Sequence, residues 1–142
     1  MITPSTTYSR PAGVDYYALP LISNSSLTGF AGCKVETLEF GQQLHAAILE
    51  PELYAPGIGH EKINEMVKSA KRNALLMLML NDPTRHVEQE YFPVDESGVQ
   101  CKLKCDLQTG PKKAPRVIAD IKTTDAKTKE EFAQRAKEYG YI

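Results

Sequence analysis

Asp120 and Lys122 stand two residues apart in the run Val117-Ile-Ala-Asp-Ile-Lys-Thr-Thr. The run reads as a strand, and residues i and i+2 of a strand share a face. A carboxylate and an ammonium are therefore side by side at its end. Asp106 closes the preceding alternating segment, Val99-Gln-Cys-Lys-Leu-Lys-Cys-Asp. If the two strands are neighbours, Asp106 and Asp120 converge. Two close carboxylates repel unless a cation lies between them. Hard oxygen ligands suit magnesium or manganese. A lysine beside such an ion can orient or help deprotonate a water, or stabilise charge on a phosphate. That set of groups is what metal-dependent phosphodiester hydrolysis requires. The same Asp-x-Lys pattern is also that of a surface ion pair.

These residues need elements to position them. A helix is expected from Val35 to Leu49, with Leu38, Leu44 and Ile48 on its buried face and Pro51 ending it. A second, longer helix is expected from Glu61 to Leu80. The period then changes to two. His86–Val94 and Val99–Leu107 form a hairpin around Asp95-Glu-Ser-Gly, and Arg116–Thr123 a third strand. In the second strand, Val99, Cys101, Leu103 and Cys105 point one way and Gln100, Lys102, Lys104 and Asp106 the other. A last helix over residues 126–140 is capped by Thr123, Thr124 or Asp125. Ser23, Asn24 or Ser25 caps a short helix that stops near Gly32. Residues 1–20, with Pro4, Pro11 and Pro20, form an extended, loosely held arm, and residues 21–142 a single domain. The class is α+β or mixed α/β.

The 142 residues allow a real core, since a domain of that size buries roughly 70% of its unfolded surface. A formal charge of −1 excludes a global basic field, so nucleic acid would be met by local patches. Three cysteines, no CxxC pair and no signal-like start point to a reducing cytosol without disulfides or structural zinc. Cys101 and Cys105 read as small core residues. The apolar run Ala74–Leu80 is far too short to span a bilayer.

Several motifs, in order, resemble the exonuclease VIII (RecE-type) branch of the PD-(D/E)XK nucleases. They are Ile-Ser-Asn-Ser-Ser-Leu from Ile22, Phe-Gly-Gln-Gln-Leu-His-Ala-Ala-Ile-Leu-Glu-Pro-Glu from Phe40, Cys-Lys-Leu-Lys-Cys-Asp-Leu from Cys101, Ala-Asp-Ile-Lys-Thr-Thr from Ala119 and Phe-Ala-Gln-Arg-Ala-Lys-Glu-Tyr-Gly-Tyr from Phe132. The resemblance covers roughly residues 22 to 141. It implies a restriction-endonuclease-like core, with Asp106, Asp120 and His45 at a Mg2+ (or Mn2+) ion and Lys122 as the catalytic lysine. Gly41 would be the small residue one turn before His45, Glu90 a further acidic contributor, and Tyr139 and Tyr141 the aromatics after the last helix. Lys112, Lys113 and Arg116 would contact phosphates. Lys68, Lys71 and Arg72 read as a solvated face, and His60 and His86 carry no motif.

The resemblance implies a DNA exonuclease acting on linear double-stranded DNA from the 5′ end, in phage or prophage recombination, in the cytoplasm of a bacterial or phage-infected cell. A single-strand annealing protein would be its partner. The family's pattern continues past Tyr-Gly-Tyr with a glutamine on a further helix, whereas this sequence stops at Ile142. The expectation is therefore a nuclease domain lacking the family's C-terminal elements, with uncovered elements that would pair in a homo-oligomer. The rival expectation is a catalytically weak remnant that binds DNA ends or a protein and regulates a nuclease complex.

Overall fold

The computed structural model describes residues 3–4, 8–23, 35–54 and 60–138. Its elements run β1 (Thr3–Pro4), α1 (Val35–Leu49), α2 (His60–Ala70), α3 (Ala74–Asn81), β2 (His86–Tyr91), β3 (Pro93–Val94), β4 (Leu103–Thr109), β5 (Val117–Ala119) and α4 (Lys129–Glu138). The protein is α+β. A three-stranded antiparallel sheet of order β2-β4-β5 lies beside the helices, and β1 pairs with β3 in a separate two-stranded ribbon.

α1 has the span that its sequence dictates. Leu44, Ala47 and Ile48 follow at helical spacing and are buried, together with Leu49. Glu50 precedes Pro51, which disfavours another helical residue there. The core joins this face to Ile63 of α2, Met79 and Leu80 of α3, and Leu107 of β4. Ile63 and Leu107 are fully enclosed. Burying each such side chain contributes about 1.5–3 kcal/mol.

The single helix expected from Glu61 to Leu80 is two helices. Asn73 is extended, with φ −77° and ψ 112°, and its side chain accepts the N–H of Leu76 at 3.1 Å. An asparagine that captures an N–H of the following turn starts a helix rather than continuing one. The cap of α4 is Thr128, not Thr123, Thr124 or Asp125. Thr128 Oγ1 accepts the N–H of Glu131 at 3.1 Å, and Glu131 reaches back to the N–H of Lys127 at 2.7 Å. This is close to a capping box, except that Glu131 takes the N–H of the residue before the cap and not that of Thr128 itself.

The N-terminal segment is held more firmly than expected. Tyr16 and Leu19 are buried, and Ile22 bridges in parallel to Cys101. Lys102, on the expected outer face of its strand, is buried too. Its Nζ donates to the carbonyls of Tyr16 and Leu19 at 3.0 Å and of Tyr17 at 3.3 Å. The polar face is thus the covered one here, while Val99 and Leu103 are exposed. The turn after β4 requires Gly110: its φ is +91°, and a Cβ would lie 3.0 Å from the Arg116 nitrogen. The helix expected near residues 24–32, Tyr139 and Tyr141 lie outside the described residues. Among the described residues no helix is long and apolar enough to cross a membrane.

Candidate metal centre

Asp106 sits in the middle of the central strand, 9% exposed. Both flanking strands bring a carboxylate to it. On one side Val87 pairs with Leu107 and Gln89 with Cys105, so Glu88 falls opposite Asp106. On the other, Leu107 pairs with Ala119, so the next position, Asp120, falls opposite Asp106 just past the end of β5. Residues opposite one another in an antiparallel pair share a face. Register therefore lines up Glu88, Asp106 and Asp120 across the sheet.

α1 supplies a nitrogen. His45 Nδ1 lies 3.7 Å from Asp106 Oδ2. One ligand atom each from His45, Glu88 and Asp106 lies within 4.8 Å of the others. This is the only such group of three among the described residues. Gly41, one turn before His45, faces the segment after β5, where a Cβ would meet Thr123 Oγ1 at 3.7 Å.

The third strand is shorter than expected, ending at Ala119 instead of Thr123. Asp106 Oδ2 accepts the backbone N–H of Ile121 at 2.7 Å. A side chain takes the donor that a continuing ladder would use, and the strand stops. Asp120 and Lys122 thus lie in extended chain beyond the sheet and pair with each other at 2.9 Å, both well exposed. Asp120 is close enough to Asp106 to act on its charge but is not one of the three clustered residues.

Electrostatics follow from this placement. Burial pushes the Asp106 carboxyl up. Asp120 and Glu88 push it the same way, against the Ile121 N–H and His45. Burial raises the Cys105 thiol as well, with help from Asp106 and Asp120, which keeps it protonated and unreactive. Glu88 is partly offset by Lys104, whose Nζ is 2.6 Å from its Oε2.

No protein-family model matches the chain, and no curated protein matches it either. The site therefore stands on its own geometry.

Of the residues singled out in the sequence, the fold brings His45 and Asp106 together, sets Asp120 next in register and keeps Lys122 beside Asp120. Glu90 goes elsewhere: it pairs with Arg10 at 2.9 Å. Lys112, Lys113 and Arg116 are exposed in the β4–β5 turn, on the order of 10 Å along the strands from Asp106. His60 is engaged by Tyr54 and Asn64 on the helical side, and His86 lies in β2 next to Gln108 of β4. Glu88 is the residue that sequence reasoning missed. It shares a face with Glu90 by alternation, and the register of the hairpin together with its own positive φ of 51° sets it apart. That register is set by an irregular turn, in which Asp95 Oδ1 accepts the N–H groups of Ser97 and Val99.

One imidazole nitrogen and two carboxylates are a donor set that fits a divalent cation of the manganese or magnesium kind. Burial is the main cause of the raised Asp106 carboxyl, and the charges of Asp120 and Glu88 add to it in a way a bound cation would offset.

Proposed function

We propose that the chain is a PD-(D/E)XK-type nuclease domain of the RecE branch, hydrolysing DNA phosphodiester bonds with Mg2+ or Mn2+. The observation that carries this reading is the convergence of His45, Glu88 and Asp106 beside the Asp120-x-Lys122 segment.

His45, Glu88 and Asp106 would hold the ion, and Asp120 would complete its surroundings from the adjacent register position. When bound, a divalent cation supplies a Lewis acid for a phosphate oxygen and lowers the pKa of a water. The chain's own groups do the rest. The Ile121 N–H fixes one oxygen of Asp106, so that carboxylate keeps its orientation. Lys122, exposed at the edge of the cluster, reaches a phosphate oxygen or the attacking water and orients it. Hydrolysis joins the water oxygen to phosphorus, breaks one P–O ester bond and leaves the proton on the departing sugar oxygen. The substrate is linear duplex DNA, attacked from the 5′ end. Lys112, Lys113 and Arg116 would bind the backbone away from the cleaved bond, and a single-strand annealing protein would take the product strand.

A second reading rests on one feature. Asp120 and Lys122 pair with each other in the exposed chain past β5, outside the cluster of three. That arrangement suits a weakly active domain that binds DNA ends or a protein partner.

A cleavage assay separates the two. The purified chain is incubated with 5′-phosphorylated linear duplex DNA and magnesium, manganese or a chelator, beside Lys122→Ala. The nuclease reading expects metal-dependent loss of DNA that vanishes in the variant. No cleavage by folded protein transfers the case to the second reading.

A further inference from the structure

Lys104 connects the metal centre to the N-terminal segment. By register it stands opposite Glu90, yet its ammonium crosses the diagonal to Glu88, at 2.6 Å. Glu90 is left to Arg10, at 2.9 Å. On its other side the Lys104 ammonium lies 5.0 Å from the Tyr17 ring centre and 5.4 Å from that of Tyr16. Tyr16 is itself buried, and Lys102 fixes its carbonyl at 3.0 Å. From one position the ammonium therefore meets a carboxylate oxygen of the cluster and lies over the faces of two tyrosines. An aromatic face holds a cation less tightly than a carboxylate but keeps it near.

We propose that Lys104 is the resident cation of the centre: it neutralises Glu88 in the metal-free protein and sets the affinity for a divalent ion by competing for that carboxylate. The proposal rests on the reading that His45, Glu88 and Asp106 hold such an ion. Glu88 faces Asp106 across the sheet, so without an ion one of the two needs a positive neighbour. Lys104 supplies it. A divalent ion sharing Glu88 would meet the ammonium at close range, and the ammonium would give up its contact and fall back on Tyr16 and Tyr17. Lys104 is thus a positioning residue for Glu88.

The test is Mn2+ binding to the full chain by titration calorimetry, for wild type, Lys104→Met, Lys104→Gln, Lys104→Arg and Glu88→Gln, with folding of each followed by circular dichroism. Removing one positive charge beside a divalent ion is expected to tighten binding about tenfold in the two charge-free variants. Lys104→Arg is expected to bind like wild type, and Glu88→Gln at least about tenfold more weakly. A variant that had only lost structure would bind more weakly, the opposite sign. If Lys104→Met does not fold, Lys104→Gln decides. If Glu88→Gln weakens binding while the charge-free Lys104 variants bind no tighter, the centre stands and the role of Lys104 is overturned. If Glu88→Gln and wild type bind alike, or neither binds, the metal reading falls and this inference with it.

Discussion

Glu88 stands opposite Asp106 by the register of its neighbours, at the one gap in the β2–β4 pairing, and is the one non-glycine residue described with a positive φ, at 51°. A side-chain-bearing residue in that region costs on the order of 1 kcal/mol. Two carboxylates set directly opposite each other add repulsion. Both costs fall at the position where β2 meets the buried carboxylate of β4 and the histidine of α1. Strain and like charge at one place in a sheet make sense where a cation is to be gathered. They make little sense as a device for stability.

The metal-free protein should therefore become more stable when Asp106 is neutralised. Asp106→Asn keeps an oxygen to accept the Ile121 N–H but removes a buried charge. The folded-state pKa of Asp106 is raised, by burial first and then by Asp120 and Glu88. The stability contributed by its neutral form is thus present below the ordinary carboxylate value and lost as pH rises through the raised value. In thermal unfolding with chelator, Asp106→Asn should gain a few degrees over wild type near neutral pH, and the gain should shrink as the pH falls through the carboxylate range. Added Mn2+ should stabilise wild type and not the variant.

Much of this arrangement was legible in the sequence, and the reasons differ by element. α1 could be read because its apolar spacing, Pro51 and His45 on one helix agree with one another. Asp106 and Asp120 could be paired because one short turn joins their strands. The break at Asn73 and the cap at Thr128 were written locally too, as an asparagine before an apolar run and as Thr-Lys-Glu-Glu. They were overridden by the longer periodic pattern around them. Glu88 was hidden for another reason: its place depends on hairpin register, which the Asp95 turn sets. The burial of Lys102 depends on the N-terminal segment folding over a face that alternation marks as polar. A contact between residues more than eighty apart leaves no local signature.

Lys122→Ala tests the chemistry without disturbing the fold. Lys122 is exposed, and its contact with Asp120 lies outside the sheet, so unfolding stability should stay within about 0.5 kcal/mol of wild type. Cleavage of 5′-phosphorylated linear duplex should fall by at least about 100-fold. DNA binding, measured by fluorescence anisotropy in calcium, should be nearly unchanged. Undiminished cleavage would remove Lys122 from the mechanism.

Lys102→Met tests the tether of the N-terminal segment. The variant keeps the apolar stem but leaves the carbonyls of Tyr16, Tyr17 and Leu19 without their shared donor. Such a loss in a buried place should cost about 3 kcal/mol of unfolding free energy by urea denaturation. The released segment should also become sensitive to chymotrypsin at Tyr16, which is buried in the wild-type fold. An unchanged urea midpoint would mean that the segment is held by Tyr16 and Leu19 packing alone.

Gly41 separates helix propensity from spacing at the site. It lies inside α1, where alanine is favoured over glycine by about 0.5–1 kcal/mol. A single Cβ there meets Thr123 Oγ1 at an ordinary 3.7 Å, so Gly41→Ala should raise stability and leave Mn2+ affinity intact. Gly41→Leu has no such room. Its side chain would press on the segment from Ile121 to Thr123, which carries the N–H bound to Asp106. Asp106 would lose its fixed orientation, and Mn2+ affinity should drop by about 10- to 100-fold, the usual effect of disturbing a ligand's outer partner. Calorimetric titration of both variants, beside their melting curves, gives the comparison. If Gly41→Leu binds Mn2+ as well as Gly41→Ala does, α1 and the chain after β5 are not held at a spacing the centre depends on.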